Sequence, residues 1–507
     1  MTDALVVDGN SLTLDDVVHV ARHGRRVTLG PAAREHVHRI RGIVEAMLQR
    51  GDAVYGVNTG FGKLSDVAIP AERLSELQVN LVRSHAAGVG PLLAEPEVRA
   101  MMLLRANVLA KGFSGVRPDL PELLLAMLNE GLYPPVPEQG SVGASGDLAP
   151  LSHLALAMIG EGDLLRGGER GSAAELLAEC GLAPVALGPK EGVALANGTQ
   201  AHTAIAALSL ADAMILWETA QVAGAMSLDA LLGTPVAFDA RIHEARGQAG
   251  QSAAAAGLRD LLAGSQIRES HLDGDPRVQD AYALRCMPQV HGPVADAIRF
   301  AQEVVGRELN AATDNPLVFD DGTLLSGGNF HGQAVAMVLD FLAIALTNLA
   351  VMSERRIDRL VHPDLNQGLP PFLTKDAGVS SGYMIAQVTA AAVASECKVL
   401  SHPASVDSIP TDGSKEDVVP MAMGAAWKLR RIVANVRNVL AIELLCAAQG
   451  LDYRRPLRSS KALERAHEIL RASVPVLERD RPVSPDILSI AQLIGEGSFT
   501  RLATGER

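Results

Sequence analysis

The amino-acid sequence predicts a mainly α-helical protein. Stretches of helical length that contain Ala, Leu and Glu dominate the 507-residue chain, whereas Asn-Gly and Asp-Gly turns between alternating runs are scarce. Hydrophobic residues make up 48% of the chain and charged residues 20%, which supplies a large buried core and excludes a disordered protein. The sequence contains no internal repeat of about 20 to 50 residues, which excludes solenoids and propellers.

Individual helices are marked by signals at their ends and by long apolar runs. Residues 95–111 have Pro96 near the start and Gly112 directly after the end, the polarity expected of a helix. Residues 121–131 repeat this pattern of an initial proline and a terminal glycine. Three longer runs are apolar on most faces, as helices in a bundle or a subunit interface are: 333–361, 382–401 and 421–449.

Loops rich in Gly, Asn and Pro separate these helices. In a helical scaffold, such loops commonly carry catalytic and binding residues at the ends of helices. Their concentration in the first part of the chain predicts a boundary near residue 200. We therefore expect a loop-rich N-terminal part, residues 1–200, and a part made of long helices and C-terminal helices, residues 201–507.

Charge and cysteine content exclude several binding functions. The net charge of −13 and the 3% of aromatic residues disfavour nucleic acid and anionic membranes as partners. The four cysteines are far apart and form no CxxC pair, which suits a reducing cytosol and argues against a cysteine-rich metal site. No signal peptide is readable, and Asp340 and Asn348 interrupt the most apolar run. We expect a cytoplasmic protein without a nucleic-acid, membrane or metal partner.

The most informative segment is GSVGASGDLAPLSHLALAM, residues 140–158. At Ala144-Ser145-Gly146, the nitrogen of Gly146 has no side chain on its own Cα to block attack on the carbonyl of Ala144. Ring closure and the loss of two waters would turn Ser145 into an exocyclic methylidene, an electrophile made from the chain itself. An Ala-Ser-Gly tripeptide alone occurs by chance in roughly one chain in five of this length, so the inference depends on the whole string.

This string resembles the signature of the aromatic amino acid ammonia-lyases, the family of histidine, phenylalanine and tyrosine ammonia-lyases and related aminomutases. Further motifs follow in the family's order between Tyr55 and Asp452: YGVNTGFG, SHAAGVG, LANGTQ, QDAYALRCMPQV, DNPLVF, SGGNFHG, SERRI, LPPFL, GYMIAQVTAAA, LSHPASVDSIPT and LAIELLCAAQGLD. So many ordered matches make chance a poor explanation. The resemblance implies a long-helix bundle of the ammonia-lyase and aspartase-like type, whose loop-rich N-terminal part carries the reactive segment.

The resemblance also implies a cofactor and an assembly. In this family, Ala144, Ser145 and Gly146 would form a 4-methylideneimidazol-5-one (MIO) group autocatalytically, without a soluble cofactor or a metal. Such a group is needed because an α-amino group leaves poorly, and attachment to an electrophile makes it a better leaving group. The family further implies a homotetramer whose active sites are each built from several chains.

Two tyrosines match the family's catalytic positions. The resemblance implies that Tyr55, on a glycine-bounded loop, is the general base, and that Tyr282 lies near the substrate and the electrophile. An ordinary loop tyrosine is the alternative for Tyr55. Because the chain has only five tyrosines and two of them stand in family motifs, we favour the catalytic role.

Further site residues follow from the same motifs. Arg285 matches the residue that binds the substrate carboxylate, a use that suits a bidentate guanidinium. Asn197, Gln279 and Asn315 match polar residues around the MIO group and the amine, although buried amides often bind only backbone groups. Phe330 is expected to form a wall of the pocket, with core packing as an equal alternative.

The substrate is expected to be L-histidine, converted to trans-urocanate in the first step of histidine degradation. His85, after Ser84, matches the histidine enzymes and can hydrogen-bond an imidazole, although tyrosine enzymes also use a histidine in this neighbourhood. Glu416 matches their glutamate, which can accept a hydrogen bond from imidazole and offers nothing to a phenyl ring. Lys415 and Val418 depart from the usual QEDH motif, so phenylalanine or tyrosine ammonia-lyase and MIO-dependent aminomutase activity stay open.

Other function classes remain as alternatives. Residues 378–382 fit the GxSxG pattern of a serine hydrolase with Ser380 as nucleophile, but the segment before them is not strand-like. His19 and His23 have the spacing of a helical zinc pair without the glutamate of HExxH, and a solvated helix face explains them better. A non-catalytic helical oligomerisation module would explain the apolar helices and leave the Tyr, Asn and Gly loops unexplained.

Overall fold

The computed structural model describes residues 4–50, 58–60, 62–64, 67, 69–275 and 277–502. As predicted, this part of the chain is mainly helical. Its nineteen α-helices are α1 (Leu14–His23), α2 (Pro31–Arg50), α3 (Leu74–His85), α4 (Glu95–Ala110), α5 (Asp119–Asn129), α6 (Leu148–Met158), α7 (Ala173–Glu179), α8 (Glu191–Ala196), α9 (Gln200–Ala230), α10 (Ala240–Arg246), α11 (Ala249–Leu262), α12 (Gln266–Glu269), α13 (Tyr282–Arg285), α14 (Met287–Glu308), α15 (Gln333–Val361), α16 (Met384–Leu400), α17 (Ala422–Tyr453), α18 (Lys461–Ser473) and α19 (Ser484–Gly495).

The strands are short and form two-stranded pairs. The pairs are β1 (Leu5–Val7) with β2 (Val27–Leu29), parallel, and three antiparallel pairs: β3 (Val89–Leu92) with β4 (Pro137–Gln139), β5 (Asp163–Arg166) with β6 (Glu169–Ser172), and β7 (Leu317–Val318) with β8 (Leu324–Leu325). Gly167 and Gly168 join β5 to β6 and both have positive φ, as a tight hairpin turn requires. This hairpin was not expected from the sequence.

The predicted helices are present with small differences at their ends. Helix α4 begins at Glu95, where the Glu97 carboxylate accepts a hydrogen bond from the Ala94 nitrogen at 2.9 Å. Gly112 follows it with a φ of 93°, which explains why the helix stops there. Helix α15 coincides with the predicted run, whereas α5 begins two residues earlier than expected and α17 continues to Tyr453.

The chain forms two compact units, each from three segments. The first comprises Met1–Ala211, Gln302–Asp340 and Pro403–Trp427, and the second comprises Asp212–Ala301, Phe341–His402 and Lys428–Arg507. Four of the five borders fall inside α9, α14, α15 and α17, and the fifth, between His402 and Pro403, lies after the end of α16. The predicted boundary near residue 200 describes a change of sequence composition and stays a prediction.

The core of the first unit is organised around α4. This helix is buried on nearly every face and packs against α1 and α5, with Val98, Met101 and Met102 fully buried. Helix α6 packs against α3 and α8. These contacts fix the position of α6, and with it the end of the segment that leads into this helix.

In the second unit, a buried ion pair joins three helices. Glu443 on α17 accepts hydrogen bonds from Arg356 on α15 at 2.5 and 2.9 Å. Its carboxylate also accepts from Ser353 at 2.5 Å and from Ser227 on α9 at 2.8 Å. Because every charge in this cluster is paired, the cluster can lie in an apolar core.

Several long helices carry apolar surface. In the second unit, Phe341, Ile344 and Val351 follow helical spacing along α15 and are exposed, as are Ile385 and Val388 on α16. Helices α9, α15 and α17 are long and apolar enough to cross a membrane by length and composition, and 72–83% of the most apolar window of each is buried within the protein.

Candidate active site

The segment between β4 and α6 turns sharply at its glycines. Gly143 and Gly146 have φ values of 75° and 70°, in the left-handed region that favours glycine. A Cβ atom on Gly146 would overlap the oxygen of Gly198, so a larger residue does not fit there. The chain therefore turns back on itself at Ala144-Ser145-Gly146, directly before α6 begins at Leu148.

Two hydrogen bonds hold this segment against the junction of α8 and α9. The side-chain nitrogen of Asn197 donates to the carbonyl of Ser145 at 2.8 Å. The nitrogen of Asp147 donates to the carbonyl of Gly198 at 2.7 Å. Helices α6 and α9 both begin at this contact, so their N-terminal partial charges favour negative charge beside Ser145.

A buried carboxylate anchors the same turn. Asp147 accepts hydrogen bonds from Ser141 Oγ at 2.8 Å and from the nitrogen of His202 at 2.9 Å. The Nδ1 atom of His202 also lies 2.8 Å from this carboxylate. Burial alone would lower the pKa of His202, but Asp147, helped by Glu308, raises it above its ordinary value. This pair ties the start of α9 to the end of the reactive segment.

Ser145 faces a cavity of about 530 Å³ in the first unit. The hydroxyl of Ser145 donates a hydrogen bond to the carboxylate of Glu416, whose second oxygen accepts from Thr411 Oγ at 2.5 Å. Lys415 and Asp417 line the same cavity and are exposed. The structure therefore brings the predicted electrophile and the predicted imidazole-binding carboxylate into direct contact.

Two further predicted residues line this cavity. Asn315 is buried, and its side-chain oxygen accepts from the nitrogen of Gly327 at 2.7 Å and from Ser326 Oγ at 3.2 Å. Phe330 is partly buried and contributes its side chain to the wall. Its predicted position as a pocket wall agrees with this placement, whereas its role in binding substrate stays a prediction.

His85 lies at the end of α3 and is partly buried. Its Nδ1 atom is 3.0 Å from the hydroxyl of Ser84. It is not among the described residues that line the cavity. The predicted contact between His85 and an imidazole therefore stays a prediction.

Three predicted residues belong to the second unit. Tyr282 and Arg285 form the single turn α13, where the guanidinium carbon of Arg285 lies 4.6 Å from the centre of the Tyr282 ring. Gln279 and Tyr282 are exposed, and Arg285 is partly buried. The carbonyl of Ala283, in the middle of the turn, accepts from Arg356 at 3.4 Å, so the buried ion pair of this unit supports the turn.

Tyr55, the predicted general base, lies outside the described residues. The described turn that follows it, Gly62–Leu64, contacts the loop that carries Glu416. There, Asp412 accepts a hydrogen bond from the nitrogen of Lys63 at 3.3 Å.

The sequence did not predict the buried side chains that support the backbone of the site. Arg105 on α4 is fully buried and donates to the carbonyls of Asn197 and Ala194. Lys190 and Asp314 form a second buried ion pair, 3.3 Å apart, next to Asn315 in the chain. A lone arginine in the apolar string MMLLRANVLA was the available signal for Arg105, because an unpaired buried charge is costly.

The residues of the turn fit the ring that the sequence predicts. Glycine is required at position 146, and the carbonyl of Ser145, which would become the ring oxygen, already accepts a donor from Asn197. Within the described ranges, no group of three or more His, Cys, Asp or Glu side chains is arranged to hold a metal ion.

The structure also describes the two alternative sites, at Ser380 and at the pair His19 and His23. A 3-10 turn, Pro371–Leu373, precedes Ser380, so the strand that a nucleophile elbow needs is not formed there. His19 and His23 lie on α1 with their ring centres 5.6 Å apart, and the Nδ1 atom of His19 is 2.8 Å from the carbonyl of Asp15. Because no strand is formed in the described segment directly before Ser380, the structure does not support the hydrolase interpretation.

Comparisons with known proteins agree with this geometry. The family model for aromatic amino acid lyases matches residues 12–472. A histidine ammonia-lyase from Anaeromyxobacter sp. (strain K) is 56% identical over 506 residues, 98% of this chain and 99% of that protein. The crystal structure of histidine ammonia-lyase from Trypanosoma cruzi superposes with a TM-score of 0.92 at 42% identity and covers 99% of this chain and 95% of that one. Tyrosine aminomutase from Streptomyces globisporus gives 0.94 at 39% identity and 99% coverage of both chains.

The resemblance and the fold class predicted from the sequence are confirmed by these matches. The chain belongs to the aromatic amino acid lyase family.

Proposed function

We propose that this protein is an ammonia-lyase that acts on L-histidine and releases ammonia to give trans-urocanate, the first step of histidine degradation. The observation that carries the proposal is the contact between Ser145 and Glu416 in one cavity. A carboxylate beside the electrophile can accept a hydrogen bond from an imidazole N–H, whereas a phenyl ring would leave it desolvated and unpaired. The histidine ammonia-lyases that match nearly the whole chain support the same substrate.

We propose that Ala144, Ser145 and Gly146 form the MIO group. Once formed, this group supplies an electrophile to which the substrate amine attaches, so that the amine leaves more easily. The residues of this chain bind and orient the substrate around it. The side-chain oxygen of Asn197 is buried and has no hydrogen-bond partner among the described residues, so it can accept from the substrate amine.

The other residues have the roles that their motifs imply. Arg285 binds the substrate carboxylate, and its buried Nε atom has no partner within the described part of the chain. Gln279 and Asn315 hold the amine, while His85, Phe330 and Glu416 surround the imidazole. Tyr55 removes the β-proton, and Tyr282 is the alternative base.

We further propose a cytoplasmic homotetramer that needs no soluble cofactor or metal. The exposed apolar residues Phe341, Ile344 and Val351 on α15 support assembly, because apolar side chains exposed along one helix are favourable only when another surface covers them. Light scattering of the purified protein at several concentrations tests this. A monomer at micromolar concentration would contradict it.

Aminomutase activity is the second candidate. It is favoured by the similarity to the tyrosine aminomutase of Streptomyces globisporus, which covers 99% of both chains. In an aminomutase the released ammonia returns to the β-carbon, so a β-amino acid accumulates in place of the conjugated acid.

The test is an ultraviolet assay with L-histidine, L-phenylalanine and L-tyrosine in parallel, since each gives a conjugated acid with its own absorbance. We expect urocanate from histidine and little product from the others. Cinnamate or coumarate as the main product would overturn the assignment to histidine and keep the chemistry. A β-amino acid, detected by chromatography, would support the aminomutase instead.

A further inference from the structure

We propose that Arg105 is a positioning residue for formation of the electrophile. Its guanidinium holds the main chain at Asn197, so that the Asn197 side chain stays on the carbonyl of Ser145. The inference rests on the function proposed above. It concerns how the chain prepares its own reactive group, before any substrate binds.

Arg105 reaches the junction of α8 and α9 from the buried helix α4. Its Nη1 atom donates to the carbonyl of Asn197 at 2.8 Å and to the side-chain oxygen of Gln200 at 2.6 Å. Its Nη2 atom donates to the carbonyl of Ala194. One side chain thus binds the last turn of α8, the residue that follows it and the first residue of α9.

The junction packs directly on the guanidinium. A Cβ atom on Gly198 would overlap Nη1 of Arg105 and the side-chain oxygen of Gln200, so the backbone can approach only as glycine. Burial lowers the pKa of Arg105 to about 10, partly opposed by the Asp314 carboxylate. Arg105 therefore stays charged at neutral pH, and its hydrogen bonds are charge-assisted.

Arg105 acts on the reacting atoms through one residue, Asn197. Asn197 is the C-cap of α8, and its side-chain nitrogen donates to the carbonyl of Ser145 at 2.8 Å. When the Cα hydrogen of Ser145 leaves as a proton, negative charge builds on that carbonyl oxygen. A fixed hydrogen-bond donor stabilises this charge and so lowers the barrier.

The maturation balances without an oxidant. The nitrogen of Gly146 bonds to the carbonyl carbon of Ala144, and the oxygen of Ala144 leaves as water with the amide hydrogens of Gly146 and Ser145. The hydroxyl of Ser145 then leaves with its Cα hydrogen as the second water. Asn197 assists this second loss, so an enzyme without Arg105 should accumulate chains that lack fewer than two waters.

Arg99 offers a matched control on the same helix. It is also buried on α4, and it donates to the main-chain carbonyls of Leu128 at 3.2 Å and Val20 at 3.0 Å. Arg99→Lys and Arg105→Lys are therefore the same change, on the same helix, at arginines that bind carbonyls. Only the acceptors of Arg105 adjoin the reactive segment.

The experiment follows the mass of the peptide that contains residues 144–146 at intervals after synthesis of the full chain, in wild type and both variants. Circular dichroism gives the folded fraction of each sample. We expect the wild type to lose two waters, and Arg105→Lys to lose them at least about tenfold more slowly at equal folded fraction, because a shorter ammonium cannot serve all three acceptors. Arg99→Lys should mature at the wild-type rate.

Asn197→Ala gives a second readout that a general loss of stability would not produce. If Arg105 acts through Asn197, the double variant Arg105→Lys/Asn197→Ala should mature no more slowly than Asn197→Ala alone. If Arg105→Lys fails to fold, Arg105→Gln takes its place, since the amide still donates to one carbonyl. Equal slowing by the Arg99 and Arg105 variants, or additive slowing in the double variant, would overturn the inference. A wild type that keeps its full mass would instead overturn the proposed electrophile.

Discussion

Each of the two compact units contains a buried arginine at the centre of a polar cluster, and the two arginines have different partners. In the first unit, Arg105 donates to two main-chain carbonyls and to the side chain of Gln200. In the second unit, Arg356 donates with Nε and Nη2 to the two carboxylate oxygens of Glu443 and with Nη1 to the carbonyl of Ala283. The first arginine therefore fixes the direction of peptide groups at one junction, whereas the second neutralises a carboxylate and adds a single contact with a carbonyl.

The difference shows two uses of the same side chain. An ion pair such as Arg356–Glu443 mainly holds α15 and α17 together, and its one contact with a main-chain carbonyl, at Ala283, supports the turn α13. A guanidinium that binds carbonyls instead determines how one short stretch of backbone is presented, which is what a site of chemistry requires. We expect formation of the electrophile to depend on the turn in the first unit, and stability of the second unit to depend on its ion pair.

The largest effect is expected from Ser145→Ala in the first unit. Because the variant lacks the oxygen whose loss creates the methylidene, elimination from histidine should fall by at least about 1000-fold. The fold should persist, since alanine is smaller and Ser145 is only partly buried. The rate of urocanate formation and the thermal unfolding curve measure the two quantities. Retained full activity would remove the MIO hypothesis.

Glu443→Leu should have the largest effect on stability. It leaves the fully buried Arg356 without its carboxylate, which costs about 3–5 kcal/mol of unfolding free energy. Urea unfolding measures the loss, and the double variant Arg356→Met/Glu443→Leu should recover part of it. Molecules that still fold should form the electrophile as the wild type does. A selective defect in ring formation at normal stability would contradict the comparison.

Glu416→Gln should reduce activity on histidine about 10- to 100-fold, since a charge-assisted hydrogen bond to the imidazole becomes a neutral one. The residual activity on phenylalanine should change less, because a phenyl ring offers no donor. Asp417→Asn is the matched control: the neighbouring carboxylate lines the same cavity and is exposed. Rates are divided by the fraction of chains that have lost two waters. Equal losses on both substrates would remove Glu416 as the selectivity residue.

The smallest expected effects are changes of folding stability with pH, and these changes should have opposite signs in the two units. In the first unit the pKa of His202 is raised, because Asp147 and Glu308 outweigh the effect of burial, so its contribution to stability is present below the ordinary histidine pKa and is lost as the pH rises through the raised value. In the second unit, burial and the neighbouring Arg356 hold the pKa of His291 well below its ordinary value. The unfolded chain therefore takes up a proton on acidification that the folded chain does not, and stability falls.

Urea unfolding of His202→Gln and His291→Gln between about pH 5 and pH 9 measures this difference. The stability gap between wild type and His202→Gln should shrink as the pH rises. For His291→Gln, the gap should shrink as the pH falls. The same direction for both variants would contradict the assigned charge states.

Much of the fold and part of the site could be predicted from local sequence. Pro96 and Gly112 delimit α4 because proline suits the first turn of a helix and glycine its end. The requirement for glycine at position 146 and the neighbouring Asn197 also agree with the motifs. These features depend on residues close together in the chain or on a pattern that the family repeats.

The buried contacts that support the backbone of the site could not be predicted in this way, because they join residues far apart in the chain. Arg105 binds carbonyls about 90 residues further along the chain, and in the sequence it is only an interruption of an apolar run. The contact of Asp412 with Lys63 likewise joins distant loops. The pair Gly167-Gly168 is a local signal for the hairpin between β5 and β6, and the mainly helical composition of the chain obscured it.

The most direct test of the account is the mass of the wild-type peptide that contains residues 144–146, compared with the same peptide from Ser145→Ala. We expect the wild-type peptide to be lighter than its sequence by two water molecules, and the Ser145→Ala peptide to be lighter than its own sequence by one water at most, because alanine has no hydroxyl to lose. A wild-type peptide of full mass, in a preparation that forms urocanate, would contradict the claim that this turn builds the electrophile.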